Sequence, residues 1–234
     1  MTGHDTELHL IRHGESVPNV EPIIGGMRGD AGLTDRGREQ ARLLEQRLRD
    51  EDLHADQLYA STLPRALETA EYVARALRLP VQPEDELHEL RPGEADGMTV
   101  DEWQRRYGGA GSAAFRDPFR PFSPGGESWV AFLARAGAAL VGLVDRHPGE
   151  TVVAVCHGGV IEASFSLAFG LGGTANRVSF AALNTSITRW RHRRTDDGRR
   201  EWTAVTFNDA GHLAGTPTPT ESPREAVPTP PDES

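Results

Sequence analysis

Apolar and polar side chains alternate over residues 7–12, Glu-Leu-His-Leu-Ile-Arg, and predict an opening β-strand. Beyond a Gly- and Pro-rich loop, Thr34 stands at an N-cap position. Ala41, Leu44 and Leu48 then follow at a spacing of three and four residues, predicting a helix near residues 35–50. Gln57-Leu58-Tyr59-Ala60 reads as a second strand. Pro64 opens a helix with Ala66, Ala70, Val73 and Leu77 on one face. Residues 79–92 read mostly as loop with a short strand at Val81, 99–107 as a short helix, and 108–126 as a Gly-, Pro- and Phe-rich loop. A long Ala-rich helix is expected near 127–146. The near-continuous apolar run from Thr151 to Cys156 has the pattern of a strand buried on both faces, and Gly158-Gly159 begins another helix. Residues 178–182, 185–193 and 200–207 read as later strands, the last two joined by a turn at Asp196-Asp197-Gly198.

Strands alternating with helices predict an α/β fold around a largely parallel sheet. The expected organisation is one domain over residues 1–213 and a tail over 214–234. The tail is Pro-, Thr- and Glu-rich, and is expected to be disordered because it has too few apolar residues to offset its ordering entropy. The domain has enough apolar material for a core, since 37% of the 234 residues are hydrophobic. No apolar run approaches the ~18 residues of a membrane span, and no secretory signal is read at the N-terminus. The single cysteine, Cys156, excludes an intramolecular disulfide and fits a reducing compartment, so a cytoplasmic location is expected.

The formal net charge of −10 argues against a nucleic-acid partner gripped over a broad surface. There is no lysine, so all 25 basic residues are arginine. Any anion site must therefore be a local arginine cluster in an acidic protein. Three segments could build one. Arg12-His13-Gly14-Glu15-Ser16 lies where the first strand gives way to loop, the end of a strand at which α/β sheets bind ligands. There an arginine beside a histidine suits anion binding with nucleophilic attack, and Gly14 admits close backbone approach. Alone, the segment reads equally well as a surface loop. Cys156-His157-Gly158-Gly159 repeats the strand-His-Gly junction, with a helix N-terminus aimed into the same crevice. Ser61-Thr62-Leu63-Pro64-Arg65-Ala66 places Arg65 in a first helical turn, where the dipole disfavours a cation unless an anion such as phosphate offsets it.

In order and rough spacing, these segments resemble the histidine phosphatase superfamily, most closely its phosphoglycerate-mutase-like branch. Asn19, Leu33-Thr34 with Gly37, Thr69-Ala70, Glu89, Gly125-Gly126-Glu127-Ser128, Asn184-Thr185-Ser186-Ile187 and Phe207-Asn208-Asp209 extend the resemblance over roughly residues 7–213. It implies a three-layer α/β/α sandwich and a phosphatase acting on a small phosphorylated metabolite. By this resemblance His13 attacks phosphorus and becomes a phosphohistidine. Arg12, Arg65 and His157 hold the phosphoryl oxygens, and Asn19 orients the loop or the phosphate. Glu89 is the proton donor, with Glu94 the next choice. No metal or cofactor is required, because guanidinium and imidazole groups supply the counter-charge.

Other residues take plainer readings. Glu15 is expected to stabilise its loop and Cys156 to belong to the core. His88 is expected to be an exposed neighbour of the acid, and Glu127 and Ser128 to cap the long helix. Residues 189–200 read as a solvated hairpin. Two alternatives stand beside the phosphatase: a phosphoglycerate-type mutase, for which Arg105-Arg106 is the only adjacent arginine pair in the middle region, and a non-catalytic phospho-ligand binding module. Substrate identity and oligomeric state are left open.

Overall fold

The computed structural model describes residues 5–108, 117–170 and 180–216. Its six strands are β1 (Thr6–Arg12), β2 (Gln57–Ala60), β3 (Gln82–Pro83), β4 (Thr151–Cys156), β5 (Ile187–Arg194) and β6 (Arg200–Asp209). They form one sheet in the order β3-β2-β4-β1-β5-β6. The pairs β3·β2, β2·β4 and β4·β1 are parallel, whereas β1·β5 and β5·β6 are antiparallel, so β5 alone runs against the other five. The largely parallel sheet is as expected.

Among the described residues the helices are α1 (Val17–Val20), α2 (Asp35–Asp50), α3 (Pro64–Leu77), α4 (Val100–Trp103), α5 (Trp129–Arg146) and α6 (Gly158–Phe169). Thr34 caps α2 by accepting the Gly37 N–H at 3.0 Å, and Ser128 caps α5 by accepting that of Ala131 at 3.2 Å. A wide π-helical turn, Gln104–Gly108, prolongs α4 over the rest of the expected 99–107 helix.

Strand alternation assigns the two faces of the sheet. Ile11, Leu58, Ala60, Val153 and Val155 pack with Leu44 and Leu48 of α2 and Ala66, Ala70 and Val73 of α3. On the opposite face Leu8, Leu10, Val152, Ala154 and Cys156 meet Phe132, Ala136 and Leu140 of α5 and Val160 and Ile161 of α6. The result is a three-layer α/β/α sandwich, with Cys156 in its core as expected. A smaller cluster of Ile24, Ala95 and Trp103 lies among the loops. Trp103 stacks on Phe122 with ring centroids 4.6 Å apart. The Asp96 carboxylate ties two of these loops together by accepting the N–H groups of Gly26, Arg28 and Gly29 at 2.9–3.0 Å.

Two expectations need correction. The strand at Val81 is the two-residue edge strand β3, one position later. The strand over 178–182 is absent at residues 180–182, while 178 and 179 lie outside the described residues. Here the chain crosses the end of the sheet to reach β5, and its backbone groups pair with side chains instead of a ladder. The Ala182 carbonyl accepts the Arg12 guanidinium, Asn208 Nδ2 donates to the Ala181 carbonyl at 3.1 Å, and the Leu183 N–H donates to Asn208 Oδ1 at 2.6 Å. The expected tail lies outside the described residues from residue 217 onward.

Candidate active site

Three neighbouring parallel strands, β2, β4 and β1, end side by side, and each is followed at once by a polar residue: Ser61, His157 and His13. The register pairs Arg12 with Cys156, so the two strand-His-Gly junctions are adjacent although 144 positions separate the histidines in sequence. The ladder continues one step past each strand, with the His13 N–H donating to the Cys156 carbonyl and the Ser61 N–H to the Val155 carbonyl, both at 3.0 Å. The two imidazole centroids are 5.1 Å apart.

His13 is buried and its ring is fixed from both sides. Nδ1 lies 2.7 Å from the Gly14 carbonyl, and Nε2 faces Nε of Arg65 at 3.1 Å. A guanidinium is a donor at every accessible pH, so Nε2 must present its lone pair and Nδ1 must carry the proton. Burial, then Arg65 and Arg12, hold the His13 pKa well below the ordinary histidine value. His157 is also held down, by burial first and then by Arg65 and His13. Its Nε2 is 2.8 Å from Ser61 Oγ, while its buried Nδ1 has no hydrogen-bond partner among the described residues.

Arg65, in the first turn of α3, was expected to need an anion against the helix dipole. The fold supplies Asp30. The Asp30 carboxylate accepts the Arg65 main-chain N–H at 3.2 Å and its guanidinium at 2.8 Å, with side-chain exposures of 0% and 4%. Arg65 also donates to the Gly25 carbonyl at 3.1 Å. Asp30 was missed in the sequence. The signal available was the demand of a buried arginine for a carboxylate, but that demand names no position. Arg12 lies against the backbone of Gly158, where a Cβ would sit 3.6 Å from its Nε.

The structure places Glu89 at the start of α6. Its Oε2 accepts the Gly159 N–H at 3.0 Å and its Oε1 accepts that of Leu90 at 2.9 Å. The N-terminus of α6 thus engages a carboxylate of the protein, where the sequence pattern had suggested a free anion site. Glu94 is exposed and accepts the Tyr107 hydroxyl at 2.9 Å, and it does not line the cleft that contains Glu89. Asn19 Oδ1 accepts from Ser16 N, Ser16 Oγ and Asn184 Nδ2 at 3.0–3.3 Å, and Asn184 also donates to the His13 carbonyl at 3.0 Å. These bonds tie Asn19 to Ser16 and Asn184. Glu15 stabilises its loop, accepting from Thr34 Oγ1 at 2.8 Å.

Gly14 has a different reason from the one expected. A Cβ there would stand 2.6 Å from the Gly37 carbonyl oxygen, so its bareness admits the first turn of α2. His88 is buried, contrary to expectation, with Nε2 2.5 Å from Thr62 Oγ1. Glu127 binds Arg135 and the Arg91 N–H, leaving the α5 cap to Ser128. Arg105 and Arg106 are exposed on the π-helical turn, away from the cleft.

The cleft that contains Glu89 has a volume of about 380 Å³ and is walled by Met27, Thr62, Leu63, Asp85, His88, Glu89 and Arg91, among others. The arrangement brings an unprotonated imidazole nitrogen against Arg65 and a second imidazole, with Arg12 and the Glu89 carboxylate against the first residues of the helix that follows His157.

Comparison with known proteins agrees with this architecture. The chain is 33% identical over 220 residues to phosphoglycerate mutase-like protein 4 of Arabidopsis thaliana, spanning 90% of this chain and 88% of that protein. It is 34% identical over 167 residues to phosphoserine phosphatase 1 of Hydrogenobacter thermophilus, spanning 70% of this chain and 77% of that protein. The solved structure of a mycobacterial glucosyl-3-phosphoglycerate phosphatase superposes with a TM-score of 0.71 at 27% identity, covering 86% of this chain and 98% of that one. The family model of the histidine phosphatase superfamily (branch 1) matches residues 8–210, and the chain belongs to that superfamily.

Proposed function

We propose that the protein hydrolyses the phosphomonoester of a small alcohol through a phosphohistidine on His13. The observation that carries this reading is the tautomer of His13: its Nε2 lone pair is set by the Gly14 carbonyl and stands 3.1 Å from Arg65 and one imidazole away from His157. A buried, unprotonated imidazole between two guanidiniums is a nucleophile for an electrophile that brings its own negative charge.

In the first step Nε2 forms a bond to phosphorus as the ester P–O bond breaks. A phosphoryl oxygen replaces the direct contact between Arg65 and His13, while Arg12 and His157 Nδ1 donate to the other non-bridging oxygens. These donors are already in place, so little reorganisation accompanies charge movement in the transition state. Glu89 gives its proton to the departing alkoxide. It then takes one from the water that attacks the phosphohistidine, releasing inorganic phosphate and restoring both groups.

The phosphatases among the named relatives support this assignment. Arg105 and Arg106 are exposed and do not line the cleft, which favours hydrolysis over a mutase that would grip a carboxylate there. The test is to trap the enzyme during turnover of a phosphomonoester and look for acid-labile phosphate on the chain. The trapped adduct should be absent in His13→Ala, and Glu89→Ala should slow release from a poor leaving group by about a hundredfold. A phosphoprotein that survives in His13→Ala would overturn the assignment.

A further inference from the structure

The cleft that contains Glu89, the proton donor of the proposed reaction, lies where that reading puts the alcohol half of the substrate, and the charges of its wall are already committed. Arg91 NH2 donates to Asp85 Oδ2 and to Glu86 Oε1, both at 3.1 Å. Thr62 Oγ1 donates to Asp85 Oδ1 at 2.7 Å and accepts from His88, whose Nε2 must therefore carry the proton. Burial holds the His88 pKa below the ordinary value, so this imidazole adds no positive charge near neutral pH. Asp96 also lines the cleft, and Arg28 at the rim stands 3.8 Å from its carboxylate.

Among the described lining residues, and apart from the proton donor Glu89, Asp85 and Asp96 thus face one arginine, and that arginine is held by two carboxylates. Asp85 is 64% exposed and its pKa is lowered, chiefly by the Thr62 hydroxyl, so it remains ionised. A carboxylate with lone pairs to spare accepts hydroxyl or ammonium donors and repels a second anion. Met27 (54% exposed), Leu63, Leu90 and Pro92 supply the apolar remainder of the wall.

We propose that the site selects phosphomonoesters whose alcohol carries neutral hydroxyls or an amine, and discriminates against those with a second anionic group, with Asp85 as the selecting residue. This rests on the phosphatase reading above. It concerns the alcohol side, whereas the arginines and histidines concern the phosphoryl side. Substrates of the type named in the phosphoserine and glucosyl-3-phosphoglycerate relatives carry a carboxylate, and the wall of this cleft is unsuited to that handle.

The experiment compares kcat/KM for glycerol 3-phosphate, phosphoethanolamine and 3-phosphoglycerate. All three release a primary alkoxide, so the leaving-group chemistry is matched. The first two are expected to exceed 3-phosphoglycerate by about tenfold or more, with the gap narrowing at high salt as screening shortens the reach of Asp85. Asp85→Asn should narrow the gap. Met27→Arg, at an exposed position where folding is not at issue, should narrow or reverse it. Equal or better turnover of 3-phosphoglycerate by the unaltered protein overturns the inference, as does a gap that neither substitution moves. Phosphate release from p-nitrophenyl phosphate reports on the underlying reading separately. If it is present while 3-phosphoglycerate is preferred, only the selectivity fails; if it is absent, both fail.

Discussion

Asp30 shows how much of the site depends on a residue that never needs to meet the substrate. It neutralises Arg65 inside the protein and turns the guanidinium so that Nε faces His13 while NH1 faces Asp30 and Gly25. Removing one partner of a buried pair leaves the other charge uncompensated, which typically costs about 3–5 kcal/mol. Asp30→Ala should therefore lower stability by about 3 kcal/mol and reduce kcat more than it raises KM, because a reoriented Arg65 stabilises the transferring phosphoryl group poorly. Asp30→Asn, which keeps an acceptor, should recover much of the stability and part of the kcat. Urea unfolding together with steady-state kinetics checks both, and an Asp30→Ala protein with unchanged kcat would contradict the role. His13, Arg12, Arg65 and His157 could be picked out in the sequence because each sits in a motif. Asp30 could not, because its partner is 35 positions away and only folding brings the two together.

Helix α6 and the segment carrying Glu89 form a unit whose geometry depends on one missing side chain. A Cβ on Gly159 would stand 2.2 Å from Glu89 Oε1 and 2.9 Å from Phe132 Cζ. Gly159→Ala should expel the carboxylate from the α6 N-terminus and lower turnover of a poor leaving group to near the Glu89→Ala level, with the circular dichroism spectrum retained. Activity close to that of the unaltered protein would show that Glu89 works without this anchor. Gly37 at the start of α2 is tighter still, its added Cβ meeting the Glu15 carbonyl oxygen at 1.9 Å. The elements themselves were readable because apolar spacing, Thr34 as a cap and Pro64 at a helix start are local signals. The strand expected at 178–182 failed at residues 180–182 for a non-local reason: its polar backbone is claimed by Arg12 and Asn208, side chains distant in sequence.

Six of the described histidines have pKa values held below the ordinary one. His9 and His212 are pushed down to about 4, His9 by burial and Arg189, His212 by burial and Arg47. His13, His88, His157 and His192 are lowered as well, burial being the largest cause in each. A histidine whose folded pKa lies below its unfolded value binds fewer protons in the native state. Its stabilising contribution is complete above the unfolded value of about 6.5 and is lost as pH falls through the folded value. The native fold should therefore weaken steadily between about pH 6.5 and 4, before the paired carboxylates Glu127, Asp145 and Asp209, whose pKa values are also lowered, begin to be protonated. Urea midpoints measured at pH 7.0 and 5.0 check this: the second should be lower, and an equal or higher midpoint would refute it. Among the described residues no helix is long and apolar enough to cross a membrane.

Periodicity alone carried the alternation of strands and helices, the burial of the Thr151–Cys156 strand on both faces and the placement of Cys156 in the core, because which side a residue faces is set within a few positions of chain. The motif set carried the two histidines and two arginines for a related reason: each lies at a strand end or helix start, and such junctions are visible locally. The 5.1 Å approach of the imidazoles, the carboxylate beneath Arg65 and the anchoring of Glu89 on Gly159 belong to the strand order β2-β4-β1 and the loops above it. Those features are distances between groups tens to more than a hundred positions apart, and no local propensity encodes such a distance before the chain has closed on itself.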